Sequence, residues 1–226
     1  MVWLAGQTWI VHQVVGLAAV GAWLAVLVVV ALQIRRHWNG QREWSRKLVH
    51  IGGGAVLPLS WILNIDRWVA IPAAILITLL AALNHRQRLL PAIEDVGRSS
   101  YGTVAYGASI SLLLILWWPQ RADAVCAGVL VMALADGLAG LVGPQVASPS
   151  WTVVGQRRSL AGTATMALVS LAVLAALAAT VSGGPKAGAI VAMAAIAVAL
   201  EQIGWGGIDN LSVPLAVAWL WQGFSP

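Results

Sequence analysis

Several charged side chains in this sequence stand at helical spacing from glycines, and their types suit phosphate and metal chemistry. In "RKLVHIGGG", residues 46–54, Lys47, His50 and Gly54 follow i, i+3, i+7, while Arg46, His50 and Gly53 follow i, i+4, i+7. Each stripe sets donors beside a residue without a side chain, which leaves room for a ligand. In "ALADGLAGLVGP", residues 133–144, Asp136, Gly140 and Gly143 share one face in the same way. A carboxylate above glycines can approach a metal–phosphate complex, and Mg²⁺ commonly takes one or two carboxylates plus water and phosphate oxygens. The same glycines would also serve close helix packing, and Arg46 and Lys47 would serve as topology anchors.

Three further stretches belong with these. "GQRRSLAGTATM", 155–166, places Arg157, Arg158, Ser159, Gly162 and Thr163 where an apolar segment begins. Free N–H groups at a helix start and paired arginines suit phosphate, and Ser159 also suits an N-cap. It is not a Walker loop, and no GxGxxG follows a strand. "EQIGWGGIDNLSVP", 201–214, sets Glu201, Asp209 and Asn210 around a glycine-rich turn. These acids offer a second metal ligand or a base for a hydroxyl, with Asp136, Asp209 and Glu201 as the metal set. "EDVGRSSYGTVAYG", 94–107, adds Arg98, Ser99, Ser100 and Tyr101.

The elements that must position them are membrane helices. The chain is 60% hydrophobic and only 9% charged, with mean hydropathy +0.84. A soluble domain is about half apolar and a quarter charged. Apolar stretches at about 14–34, 48–64, 67–84, 102–119, 123–143, 161–181, 186–204 and 208–223 predict an all-α bundle of seven to eight spans, a single polytopic domain over 1–226. With eight spans, Arg35, Arg36, Arg42, Arg46, Lys47, Arg86, Arg88, Arg98, Arg157 and Arg158 share one side. Only Arg67, Arg121 and Lys186 take the other, ten against three of the 13 basic residues. The positive-inside rule makes the first side cytoplasmic, with the site facing it and both termini outside. Trp38, Trp44, Trp61, Trp68, Trp117, Trp118, Trp151 and Trp205 fall near predicted span ends as interfacial anchors.

The net charge of +5 fits basic loops better than nucleic acid, since no basic run is interleaved with aromatics. A lone cysteine, Cys126, excludes a disulfide framework. The amino terminus lacks a charged n-region, so it is expected to stay uncleaved.

"RKLVHIGGG", "RSSYGTVAYG", "ADGLAGLVG", "RRSLAGT" and "DNLSVP", in this order over about residues 46–214, resemble the phytol kinase and dolichol kinase family. Those membrane enzymes use CTP to phosphorylate an isoprenoid alcohol and are distant relatives of the phosphatidate cytidylyltransferases. The resemblance implies a CTP and Mg²⁺ site at Asp136, Gly137, Gly140 and Gly143, with Arg158, Ser159, Gly162 and Thr163. The family's usual Lys-Ser is Arg158-Ser159 here, and an acid often found before its Gly-Ser is replaced by Ala161 before Gly162-Thr163. The compact chain looks more like the phytol kinase branch, which implies a plasma or thylakoid-type membrane. The cytidylyltransferase signature, Lys-Asp…Pro-Gly-His-Gly-Gly…Asp-Arg, has no match here, and that activity ranks second.

The resulting expectation is phosphoryl transfer at the cytoplasmic surface. Arg157 and Arg158 would clamp the CTP phosphates, with Arg46, Lys47 and Asn210 as further contacts. Mg²⁺ would bridge to Asp136 and to Asp209 or Glu201, and Asp209, by preference, or His50 would take the hydroxyl proton. The alcohol, phytol or a prenol such as geranylgeraniol or farnesol, would enter sideways from the membrane lipids. Asp136→Ala would abolish turnover and leave the chain folded. A transporter is the rival class, but no internal repeat is evident and the polar residues gather on one face.

Overall fold

The computed structural model describes residues 2–37, 42–87 and 101–225. Helices dominate it: α1 (Val2–His37), α2 (Arg42–Gly54), α3 (Val56–Ile62), α4 (Arg67–Gln87) and α5 (Gly102–Trp117) form the first part. After them α6 (Ala122–Leu130) passes through a π turn, Val131–Asp136, directly into α7 (Gly137–Gln145). A hairpin of β1 (Ser150–Val153) and β2 (Gln156–Ser159) leads to α8 (Leu160–Thr180), α9 (Ala187–Ile203) and α10 (Asp209–Phe224).

Hydropathy explains the arrangement. Four helices among the described residues are long and apolar enough to cross a bilayer: Thr8–His37, Arg67–Gln87, Ala122–Gln145 and Leu160–Thr180. This makes the chain a helical membrane protein. Each of the other predicted stretches also carries helix, but Gly102–Trp117 and Ala187–Ile203 are shorter apolar helices. The stretch at 48–64 is broken at Ala55, after three successive glycines with poor helix propensity.

The continuous run Ala122–Gln145 is the hub, 61% buried against 6% for α4. Helices α2, α5, α8 and α10 pack around it. Its apolar side chains, including Val125, Val129, Val131 and Met132, are fully buried. Leu76, Leu79 and Leu80 of α4 and Val11, Val14 and Val15 of α1 instead point outward. An outward apolar girdle of that kind is what lipid requires.

Polar contacts tie the turns at each end of the bundle. At one end Gln13 Nε2 donates to the Asn64 carbonyl at 3.3 Å, and Gln13 Oε1 accepts from the Asp66 N–H at 2.8 Å. There too the indole N–H of Trp221 donates to Asp123 at 2.8 Å. At the opposite end the Tyr101 N–H donates to the Gly206 carbonyl at 3.1 Å.

Two expectations are corrected. The hairpin departs from an all-helical chain: Val154 and Gly155, with φ of 48° and 72°, form the two-residue loop joining β1 to β2. Positive φ at both central residues is what a tight hairpin turn needs. Trp118 is no interfacial anchor; it is buried and its indole donates to the Ile65 carbonyl at 2.8 Å. Trp44, Trp68 and Trp205 are exposed, as anchors should be. Trp38, Arg88, Arg98, Ser99 and Ser100 lie outside the described residues.

The tightest helix crossing rests on Gly128 of α6. A Cβ there would collide with the carbonyl oxygen of Pro214 in α10 and lie 3.0 Å from the Ala218 Cβ. Gly128→Val is therefore expected to destabilise the bundle by about 1–3 kcal/mol. Thermal unfolding in detergent measures this, and an unchanged Tm would disprove the crossing.

Candidate active site

The site begins with two helices brought face to face. α2 presents Lys47 and His50 one turn apart, as the i, i+3 spacing requires. Opposite them, the π turn ends on Asp136. Lys47 Nζ donates to Asp136 Oδ2 at 2.7 Å and to the Asp136 carbonyl at 3.0 Å. His50 Nε2 donates to the Met132 carbonyl at 3.1 Å and stands 3.4 Å from Asp136 Oδ2. Both neighbours of Nε2 are acceptors, so the proton sits on Nε2. That tautomer leaves Nδ1 as an acceptor, with no hydrogen bond to a described residue.

The glycines explain how the helices come so close. A Cβ at Gly140 would collide with the Lys47 side chain, and one at Gly137 with Ile51. Gly140 is thus the floor on which the lysine stem lies. The Asp136–Gly140–Gly143 face read from the sequence is real, but Lys47 occupies its middle.

A second cluster lies where α8 starts and α9 ends. The expectation that Arg157 and Arg158 both open a helix is corrected: they lie on β2, where successive side chains point to opposite faces. Arg157 is exposed and donates to Ser150 Oγ at 3.3 Å. Arg158 turns inward, pairs with the Glu201 carboxylate and donates to the Glu201 carbonyl and, at 3.1 Å, to that of Gly204. Its Nε is buried without a partner among the described residues.

Around this pair, Ser159 caps α8 by accepting from the Gly162 N–H at 3.2 Å, and its hydroxyl donates to the Gly143 carbonyl at 3.3 Å. A Cβ on Gly143 would come within 3.3 Å of the Gly162 Cα, so these glycines form the α7–α8 contact. Thr163 Oγ1 accepts from Gln202 Nε2 at 3.0 Å, and the same amide donates to Glu201 Oε2 at 3.0 Å.

Asp209 stands between the clusters. Its carboxyl is within Coulombic reach of Asp136, Arg158 and Lys47, and that of Glu201 within reach of Asp136 and Asp209. Gly206 and Gly207, at φ of 62° and 94°, bend the chain sharply enough to start α10 at Asp209. Asn210, the next residue, is buried. The two clusters and Asp209 thus unite most of the predicted residues. Arg46 is held by Glu43 at 2.8 Å within Coulombic reach of Asp136 and His50, while Arg157 stands apart.

Two residues escaped the sequence reading. Gln202 joins Thr163 to Glu201 and accepts from the Trp151 indole at 3.1 Å. Tyr106 is buried, its ring 4.5 Å from that of His50. It lies in "RSSYGTVAYG", and its place one turn along from Gly102 was the only available signal.

The structure revises what a substitution at Asp136 does. Lys47 and Asp136 side chains are 6% and 14% exposed, so removing the acid strands a buried ammonium. Asp136→Asn is expected to lose roughly 3–5 kcal/mol of stability. Adding Lys47→Met should restore most of it, while both variants lack activity. Thermal unfolding of the single and double variants decides this, and a fully stable Asp136→Asn would refute the pairing.

No family model and no solved structure matches the chain. Among curated proteins it is 39% identical to the phytol kinase of Synechocystis sp. over 219 residues. The match covers 92% of this chain and 93% of the relative, so it takes in both clusters and the helices that hold them. The chain belongs to the phytol kinase family.

Proposed function

We propose that this protein transfers the γ-phosphoryl group of CTP to an isoprenoid alcohol drawn from the bilayer. The observation that carries the reading is the buried Lys47–Asp136–His50 cluster beside the Arg158–Glu201 pair, in a chain of this family. Cations and carboxylates at a bundle's interior suit a phosphoanion with a metal better than they suit a structural core.

The donor set fits Mg²⁺. Asp136, Asp209 and Glu201 offer hard oxygen ligands within Coulombic reach of one another. Among the described residues no three histidine, cysteine or acid side chains converge as a metal cage. A cage is not required, because nucleotide-bound Mg²⁺ uses one or two carboxylates with phosphate oxygens and water. Asp136 and Asp209 would hold the ion, which would neutralise charge on the transferred group.

The chain's own residues divide the remaining work. Arg158 supplies a planar cationic fork for the phosphates, with Ser159, Thr163 and Asn210 as further contacts, while Arg157 serves at the rim. Lys47 adds a second positive charge. Gly137, Gly140, Gly143 and Gly162 act by letting these helices and the lysine stem approach.

On the acceptor side, the alcohol oxygen attacks the γ-phosphorus, the bond to the β–γ bridging oxygen breaks, and CDP leaves. The hydroxyl proton passes to a base. His50 is favoured over Asp209 because its Nδ1 is an acceptor, while Asp209 is assigned to the metal. Catalysis then rests on positioning and charge neutralisation. The basic bias of the connections supports a multi-pass protein whose site faces the cytoplasm, in a plasma or thylakoid-type membrane.

The test is label transfer by purified protein in detergent with Mg²⁺ and a panel of phytol, geranylgeraniol and farnesol. Label is expected to reach lipid from γ-labelled CTP and not from α-labelled CTP. Transfer only from the α position, with phosphatidate supplied, would make the protein a cytidylyltransferase and end the kinase reading.

A further inference from the structure

The hydroxyl of Tyr106 is buried and has no hydrogen-bond partner among the described residues. A phenol O–H in a folded interior normally finds one, because leaving it unmet forfeits its interaction with water. Tyr106 also sits at the site and not at random. Its ring stacks at a tilt on His50, and its hydroxyl is within Coulombic reach of Asp136.

The surroundings define what could satisfy it. The hydroxyl lies 3.2 Å from where a Cβ on Gly54 would stand, and that position also abuts Ala133 and the Val129 carbonyl. Gly53, the residue before, is only partly covered, and a Cβ on it would lie 3.8 Å from Tyr106 Cε1. Gly54 therefore packs directly on Ala133 beside the hydroxyl, and Gly53 is the part-exposed residue next to the ring. One neutral hydroxyl set among glycine backbone, Ala133 and the His50 ring suits a small uncharged polar head on an apolar body. It does not suit a phosphate, which calls for the cations gathered at Arg158 and Lys47.

We infer that Tyr106 holds the acceptor alcohol, its phenol hydrogen-bonding the substrate oxygen beside His50, with entry on the side of the part-exposed Gly53. The assignment deepens the acceptor half of the kinase reading and rests on it. A single hydroxyl can donate to the alcohol oxygen while leaving that oxygen's own proton directed to His50.

Tyr106→Phe removes only this hydroxyl. Since it has no partner among the described residues, the variant is expected to match or exceed the wild-type Tm. Its kcat/KM for geranylgeraniol should fall about 10-fold or more, with the KM for CTP within about twofold, as loss of one substrate hydrogen bond implies. A second readout needs no turnover: ligand-induced thermal shift without nucleotide, comparing geranylgeraniol with the hydrocarbon of the same skeleton. Wild type should prefer the alcohol, and Tyr106→Phe should not. Undiminished turnover, a retained preference for the alcohol, or a lowered Tm would overturn the assignment, the last by giving the hydroxyl a folding role. A wild type that prefers the alcohol but transfers no label would fail the kinase reading alone and leave the subsite standing.

Discussion

Two opposite charges buried between α2 and the π turn set the terms for the whole bundle. A lone carboxylate or ammonium at membrane depth is costly, and only a close, well-bonded partner offsets that cost. Lys47 and Asp136 meet at 2.7 Å, with a further bond from the ammonium to the Asp136 carbonyl. Neither charge is tolerable there without the other, so the packing of α2 on the central helix is dictated by this contact. The need for small residues follows at once. Gly140 must lack a side chain because the lysine stem lies on it, and Gly137 because Ile51 does.

The π turn belongs to the same constraint. Its last residue is Asp136, and within it the Met132 carbonyl accepts from His50. Helical segments of this type recur at functional sites, where the wider turn frees a carbonyl for other partners. Here that carbonyl fixes the tautomer of His50 and orients the ring toward Tyr106. A charge pair that holds two helices together thereby also sets the orientation of His50, the base in the proposed transfer.

The second cluster works by a different local rule. Strand alternation in the short hairpin turns Arg158 in and Arg157 out, and this alone distinguishes two adjacent arginines. Inward, Arg158 meets Glu201 and the carbonyls at the end of α9, while Ser159 closes the start of α8. The proposed division between an acceptor side at His50 and Tyr106 and a donor side at Arg158 rests on these two geometries. Asp209 links them because paired glycines with positive φ turn the chain back between α9 and α10.

Much of this was legible in the sequence. Hydropathy gave the helices and the membrane, since a bilayer admits only segments that satisfy their own backbone. Helical spacing gave the Lys47–His50 stripe and the Asp136–Gly140–Gly143 face, because both depend only on local periodicity. The rest could not be read locally. That Lys47 fills the space above Gly140, that Trp118 is buried and that Tyr106 stands beside His50 are contacts between residues 53 to 93 positions apart. The opposed arginines needed a strand where periodicity had indicated a helix start. Sequence by itself determined which segments are apolar and which charges lie along one helical face, because those are properties of neighbours along the chain. Tertiary structure decided which charge meets which and which hydroxyl is left unmet, because those depend on how separate helices pack.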